Sequence, residues 1–122
     1  MYKVEPLPLL FKDKDHENDF FYLMIETFKR PFDDREYGSL SYLVAATGKT
    51  GDVINIYDHE GLDIDILRDR MGVYSSSEIA MIRFGLQLFN SNIDDIKLND
   101  VFWSLDDENT AVVKAAIDYR FR

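Results

Sequence analysis

The chain has 122 residues, 46% apolar and 14% aromatic, enough for one domain to bury about two thirds of the surface its unfolded form exposes. It has no cysteine, which excludes disulfides, thiolate zinc sites and thiol nucleophiles and favours a cytoplasmic origin. Fourteen Lys and Arg stand against 23 Asp and Glu, and the net charge of −9 repels a phosphate backbone, so direct nucleic-acid binding is not expected.

The amino terminus, Met1 to Pro6, has neither the basic start nor the apolar middle of a secretory leader. No apolar run approaches the about 20 residues a membrane helix needs, so no membrane association is expected. Pro6 and Pro8 hold Glu5 to Leu9 extended, and residues 1–12 read as an arm leading into a helix near Asp13. Asp13 or Asp15 can cap it, and Phe20, Leu23, Met24, Thr27 and Phe28 recur at helical spacing before Pro31 stops it. A second helix, capped by Asp33 or Asp34, carries Tyr37, Leu40 and Val44 on one stripe and ends where Gly48 can turn left-handed. Gly38 inside it costs about 1 kcal/mol relative to alanine.

Residues 52–58, with Val53, Ile54, Ile56 and Tyr57, fit a short helix or a strand equally on propensity. Leu62 to Met71 make a further short helix punctuated by Gly61 and Gly72. Ser75-Ser76-Ser77-Glu78 is a capping box. It opens a helix from about Ser76 to Asn90 that is apolar around most of its girth, with Arg83, Gln87 and Asn90 as a narrow polar seam, and it is expected at the centre. A last helix starts at Asp106 or Asp107, turns Val113, Ala116, Ile117 and Phe121 inward, and ends on Arg120 and Arg122, as its dipole favours. No repeat or linker divides the chain. The expected fold is all-α: one domain over residues 1–122, a bundle of about five helices around the apolar helix near 76–90.

Residues with chemistry are few. Asp13 to Asp19 alternate oxygens as a calcium loop does, but Asn18 stands where glycine must turn and Met24 where the closing glutamate belongs. His16 and His59 lack a partner at zinc spacing, and His59, between Asp58 and Glu60, reads as an exposed loop residue. Ser75 to Ser77 lack the glycine-flanked elbow of a nucleophile. Gly48-Lys49-Thr50-Gly51 lacks the earlier glycine of a phosphate loop, Leu43 standing there. No metal site, cofactor or catalytic residue is therefore expected. Arg83 sits in the seam of a buried helix, where a guanidinium needs carboxylates or carbonyls; an ion pair is the first reading. A pocket using Arg83 and Gln87, lined by Tyr37, Tyr57 or Tyr74, is the alternative. Trp103, the sole tryptophan, is expected in the core.

Acids gather in two stretches, 52–69 and 94–108. Arg83-Phe84-Gly85-Leu86-Gln87-Leu88-Phe89-Asn90, Leu98-Asn99-Asp100-Val101-Phe102 and Ala115-Ala116-Ile117-Asp118-Tyr119-Arg120, with Leu10 to His16, resemble a small uncharacterised family of Gram-positive bacteria and their phages. The chain departs from that family's Trp and Gln-Thr residues between Gly72 and Ser77. The resemblance implies a compact helical domain of bacterial or phage origin and brings no activity. The function expected is a non-enzymatic, acidic protein-interaction module that binds a protein with a basic surface through Asp94, Asp95, Asp106, Asp107 and Glu108. An inhibitor from a mobile element that occupies the basic surface of a nucleic-acid-binding protein is its sharpest form. A small-molecule binder or enzyme with a pocket around Arg83 is the alternative.

Overall fold

Among the described residues, five helices begin at a side chain that accepts a hydrogen bond from an amide of the first turn, the mark of an N-cap. A computed structural model of the chain describes residues 9–27, 29–30, 33–58 and 61–122. Asp13 accepts from the His16 amide at 2.8 Å and opens α1 (Lys14–Glu26), and Asp34 accepts from the Tyr37 amide at 2.9 Å and opens α2 (Arg35–Ala46). Asp63 opens α4 (Ile64–Arg70) and Asp106 opens α7 (Asp107–Phe121). At α5 (Ser76–Phe89) the capping box is complete: Ser75 Oγ accepts from the Glu78 amide at 3.3 Å, and Glu78 Oε1 accepts from the Ser75 amide at 2.8 Å. Those bonds, with Lys49 beyond them, lower the Glu78 pKa.

Residues 52–58 turn out to be helix and strand in succession. The short α3 (Thr50–Val53) passes into a 3-10 turn over Ile54–Ile56 and then β1 (Tyr57–Asp58), which pairs antiparallel with β2 (Gly61–Leu62) in the register Tyr57 to Leu62 and Asp58 to Gly61. A second 3-10 turn, Met71–Val73, follows α4. The sixth helix, α6 (Leu98–Trp103), carries no sequence signal: it is six residues long and its N-cap, Lys97, makes no side-chain cap. The about five helices expected are thus seven among the described residues, in an all-α bundle with one two-stranded ribbon.

Of the arm, residues 9–12 are described. They are tied down by Tyr42, whose hydroxyl donates to the Leu10 carbonyl, and by the Lys12 amide, which donates to His16 Nδ1 at 3.2 Å. The expectations for Pro6, Pro8, Phe28, Pro31 and His59 lie outside the described residues.

The apolar α5 lies in the core as expected, and shares the centre with α2, which is buried without interruption from Gly38 to Ala46. Leu40, Leu43 and Val44 of α2 and Ile82 and Leu86 of α5 are wholly buried, each contributing about 1.5–3 kcal/mol. α1, α5 and α7 all pack on α2. Gly38 lets α7 close in: a Cβ at that position would stand 2.0 Å from the Tyr119 hydroxyl. That contact sets the register of α7, which buries Val112, Val113, Ala116 and Tyr119. Ile117 is partly buried and Phe121 exposed, a correction to the inward stripe expected: Phe121 lies two residues, about 200°, round the helix from Tyr119. Gly48 takes a φ of 76° at the end of α2, as expected. Among the described residues no helix is long and apolar enough to cross a membrane.

Candidate functional site

Between α5 and α6 the chain crosses a loop, residues 90–97, that has little helical hydrogen bonding of its own. Side chains from the polar seam of α5 hold it. Gln87 Nε2 donates to the carbonyls of Asp94 and Ile96, both at 3.2 Å. One turn earlier, Arg83 Nε stands 3.1 Å from each Asp94 carboxylate oxygen, with Nη2 at 3.0 Å from Oδ1. Asp94 also accepts from the Ile96 amide at 3.0 Å, and Arg68 approaches it to 3.9 Å while donating to the Ile93 carbonyl. The Asp94 bond raises the Arg83 pKa above its ordinary value, and the charges of Asp94, Asp95 and Asp100 add to that against partial burial. The ion pair expected of Arg83 is present, and Gln87 serves the same loop.

This geometry corrects the acidic surface read from residues 94–108. The Asp94 side chain is 3% exposed, spent on the loop rather than offered to a partner. Asp95 is fully exposed, though its carboxylate lies 3.6 Å from Arg83 Nη2. Asp106 caps α7 and stays exposed, as do Asp107 and Glu108 in the first turn. The other acidic stretch is partly absorbed by the fold. Asp52 accepts from the Tyr74 hydroxyl, whose pKa is pushed up to about 12 by burial and then by that bond and charge, and Asp63 caps α4.

Trp103 overturns its expectation. It is 90% exposed, because α6 turns Val101 into the core and position 103 lies about 200° away on the helix. Two concavities flank the indole. One, of about 320 Å³, runs between α5 and α6 and is lined by Ser76, Ile79, Ala80 and Arg83 on one wall and Asp100, Trp103 and Ser104 on the other, with Ile96. The other, of about 490 Å³, is lined by Leu98, Asn99, Phe102 and Trp103. A third cavity, of about 260 Å³, lies on the far side of Arg83 among Arg68, Met71, Gly72, Ile79, Leu86 and Asp94.

The tyrosines considered for an Arg83 pocket are engaged elsewhere. Tyr37 packs edge-on against Phe89 and accepts from the Leu62 amide, Tyr57 is buried, and Tyr74 bonds Asp52. Lys49 of the Gly-Lys-Thr triplet pairs with Glu78 at 3.7 Å and lies over the Tyr74 ring. His16 is buried against Phe11 and Tyr42, and its Nε2 lies 2.9 Å from the Tyr42 carbonyl. With the Lys12 amide donating to Nδ1, Nε2 is the donor and the ring is neutral. Among the described residues no group of three or more His, Asp or Glu is placed to hold a metal ion.

A signal for Trp103 exists only in hindsight: the acids at Asp100 and at 106–108 bracket it, but six helical residues are too few for a period to show which way it faces. The model of a family of unknown function (DUF6075) matches residues 7–121 of the chain. No curated protein and no solved structure matches it.

Proposed function

We propose that the chain, which belongs to the DUF6075 family, is a non-enzymatic cytoplasmic module that binds another protein through the surface around Trp103. The exposed indole carries this reading: a 90% exposed tryptophan places the residue type most often found at the energetic centre of interfaces in water. Asp95, Asp100, Asp106, Asp107 and Glu108, all exposed, supply carboxylates that would steer a basic surface onto it. A mobile-element inhibitor covering the basic surface of a nucleic-acid-binding protein is the finest form of the reading.

A small-molecule site beside Arg83 has two hollows behind it, the 260 Å³ cavity and the 320 Å³ concavity that Arg83 lines with Asp100. Against it stands the chemistry of the two arginines there, both already turned to Asp94.

The test is binding kinetics with the partner recovered from the host by affinity capture. Trp103→Ala should raise the dissociation rate about tenfold or more. Asp95→Asn with Asp100→Asn and Glu108→Gln should lower the association rate, and the difference should shrink as salt screens beyond about 8–10 Å. Unchanged rates in both variants would remove this surface as the working one. Asp94 and Asp106 are left intact because each holds part of the fold.

A further inference from the structure

The wall of the 320 Å³ concavity on α5 is Ser76, Ile79, Ala80 and Arg83, spaced i, i+3, i+4 and i+7, which is one face of a helix over about 10 Å. The opposite wall is Asp100 and Trp103 on one face of α6, with Ser104 at its C-cap. Two helix faces therefore bound a trough with apolar sides at Ile79, Ala80, Ile96 and Trp103. Beyond the indole, Leu98 and Phe102, one turn apart on α6, line the second hollow. Trp103 is thus a ridge between two apolar depressions, which suits a partner that places one apolar side chain on each side of it.

The charges choose the partner. Arg83 faces the trough but is shared between Asp94 and Asp95. Asp100, on the same wall as Trp103, is exposed, and the exposed Asp106, Asp107 and Glu108 follow Trp103 within five residues. A second copy of the chain seated two-fold here would set this acidic patch against the same acidic patch. We infer that this trough and hollow bind a basic amphipathic helix, with apolar residues at i and i+3 or i+4 straddling Trp103 and Lys or Arg beside them meeting Asp100 and the start of α7. The inference rests on the interaction reading above and names the chemistry of its partner.

Trp103 is the sole tryptophan, so its emission reports on this one surface. The probe is a synthetic Leu/Lys peptide about 14 residues long, four helical turns, with leucines on one face. Two controls accompany it: the same composition with the helical period broken, and a Leu/Glu peptide of the same pattern. The Leu/Lys amphipath should shift the emission to the blue and bind the wild type about tenfold more tightly than Asp100→Lys, and more tightly than either control binds the wild type. Calorimetry with Trp103→Ala should show the same loss, and denaturant unfolding of both variants separates lost binding from lost fold. Equal binding by the period-broken peptide, binding without a blue shift, or no binding at all overturns the inference. A Trp103-dependent dimer in sedimentation overturns it too, in favour of a second copy. If the captured partner still requires Trp103 while the amphipath fails, only the helical, basic character of the partner falls. If neither depends on Trp103, the interaction surface falls with it.

Discussion

Asp94 and Asp95 are neighbours with the same charge and opposite surroundings. Asp94 is enclosed and accepts from Arg83 and the Ile96 amide, whereas Asp95 stands in solvent. Asp94→Ala should cost about 2–3 kcal/mol in urea unfolding, the loss of charged hydrogen bonds from a buried acceptor. The figure stays below that for a fully buried pair because Arg83, 39% exposed, can turn to water. Asp95→Asn should leave the urea midpoint at its wild-type value, because a solvated surface charge adds little to the fold. The need of Arg83 for a carboxylate was legible in its place on an apolar helix. Which carboxylate answers was not, since residues 90–97 carry no period to say which way Asp94 points. His16 makes a second prediction. Burial first, and then Lys12, lower its pKa from 6.5 in spite of the Tyr42 carbonyl and the charges of Asp13 and Asp19. The unfolded chain therefore takes up the proton at a higher pH than the fold does. The stabilisation is complete above about 6.5 and is lost progressively as pH falls from there through the lowered value in the fold. Urea unfolding at about pH 7.5 and pH 5.5, above most carboxylate titration, should show the loss, and His16→Gln should flatten it.

At the scale of elements, caps were the most readable feature and register the least. Asp13, Asp34, Ser75 and Asp106 start their helices where acceptors precede apolar stripes. α6 escaped because it has neither cap nor length, and Trp103 went with it. Gly38 was legible as a weak point of α2, but its purpose lay 81 positions away in Tyr119. Gly38→Ala should therefore reverse the usual gain in helix propensity. With a Cβ 2.0 Å from the Tyr119 hydroxyl, either α7 or the ring must move, and the loss should be about 1–3 kcal/mol in denaturant melts. A variant at least as stable as wild type would mean that α7 does not seat on α2 as described.

For the molecule as a whole, a composition 46% apolar indicates a domain with its own core, and the helical spacing of those residues makes it all-α, because such stripes are buried by packing helices on helices. The candidate surface is legible in its charge and not in its shape: Asp94 of the five acids lies inside, and the indole between the hollows, which reads as core, stands in water. Stability should be indifferent to metal. The apolar contacts of α1, α2, α5 and α7 account for the fold, so the thermal midpoint should be the same with and without EDTA; a clear drop would send attention back to the acids of α1. α2 has one more consequence. α1, α5 and α7 each make their most extensive contacts with another helix on α2, so α2 cannot lose its structure while the remaining helices keep theirs. Its amides, from Leu40 to Ala46, should be the slowest of the chain to exchange with deuterium, opening only when the whole molecule opens, while the ends of α6 and α7 exchange through local fraying. Exchange of α2 at a rate set by a smaller opening would show that the bundle comes apart in pieces.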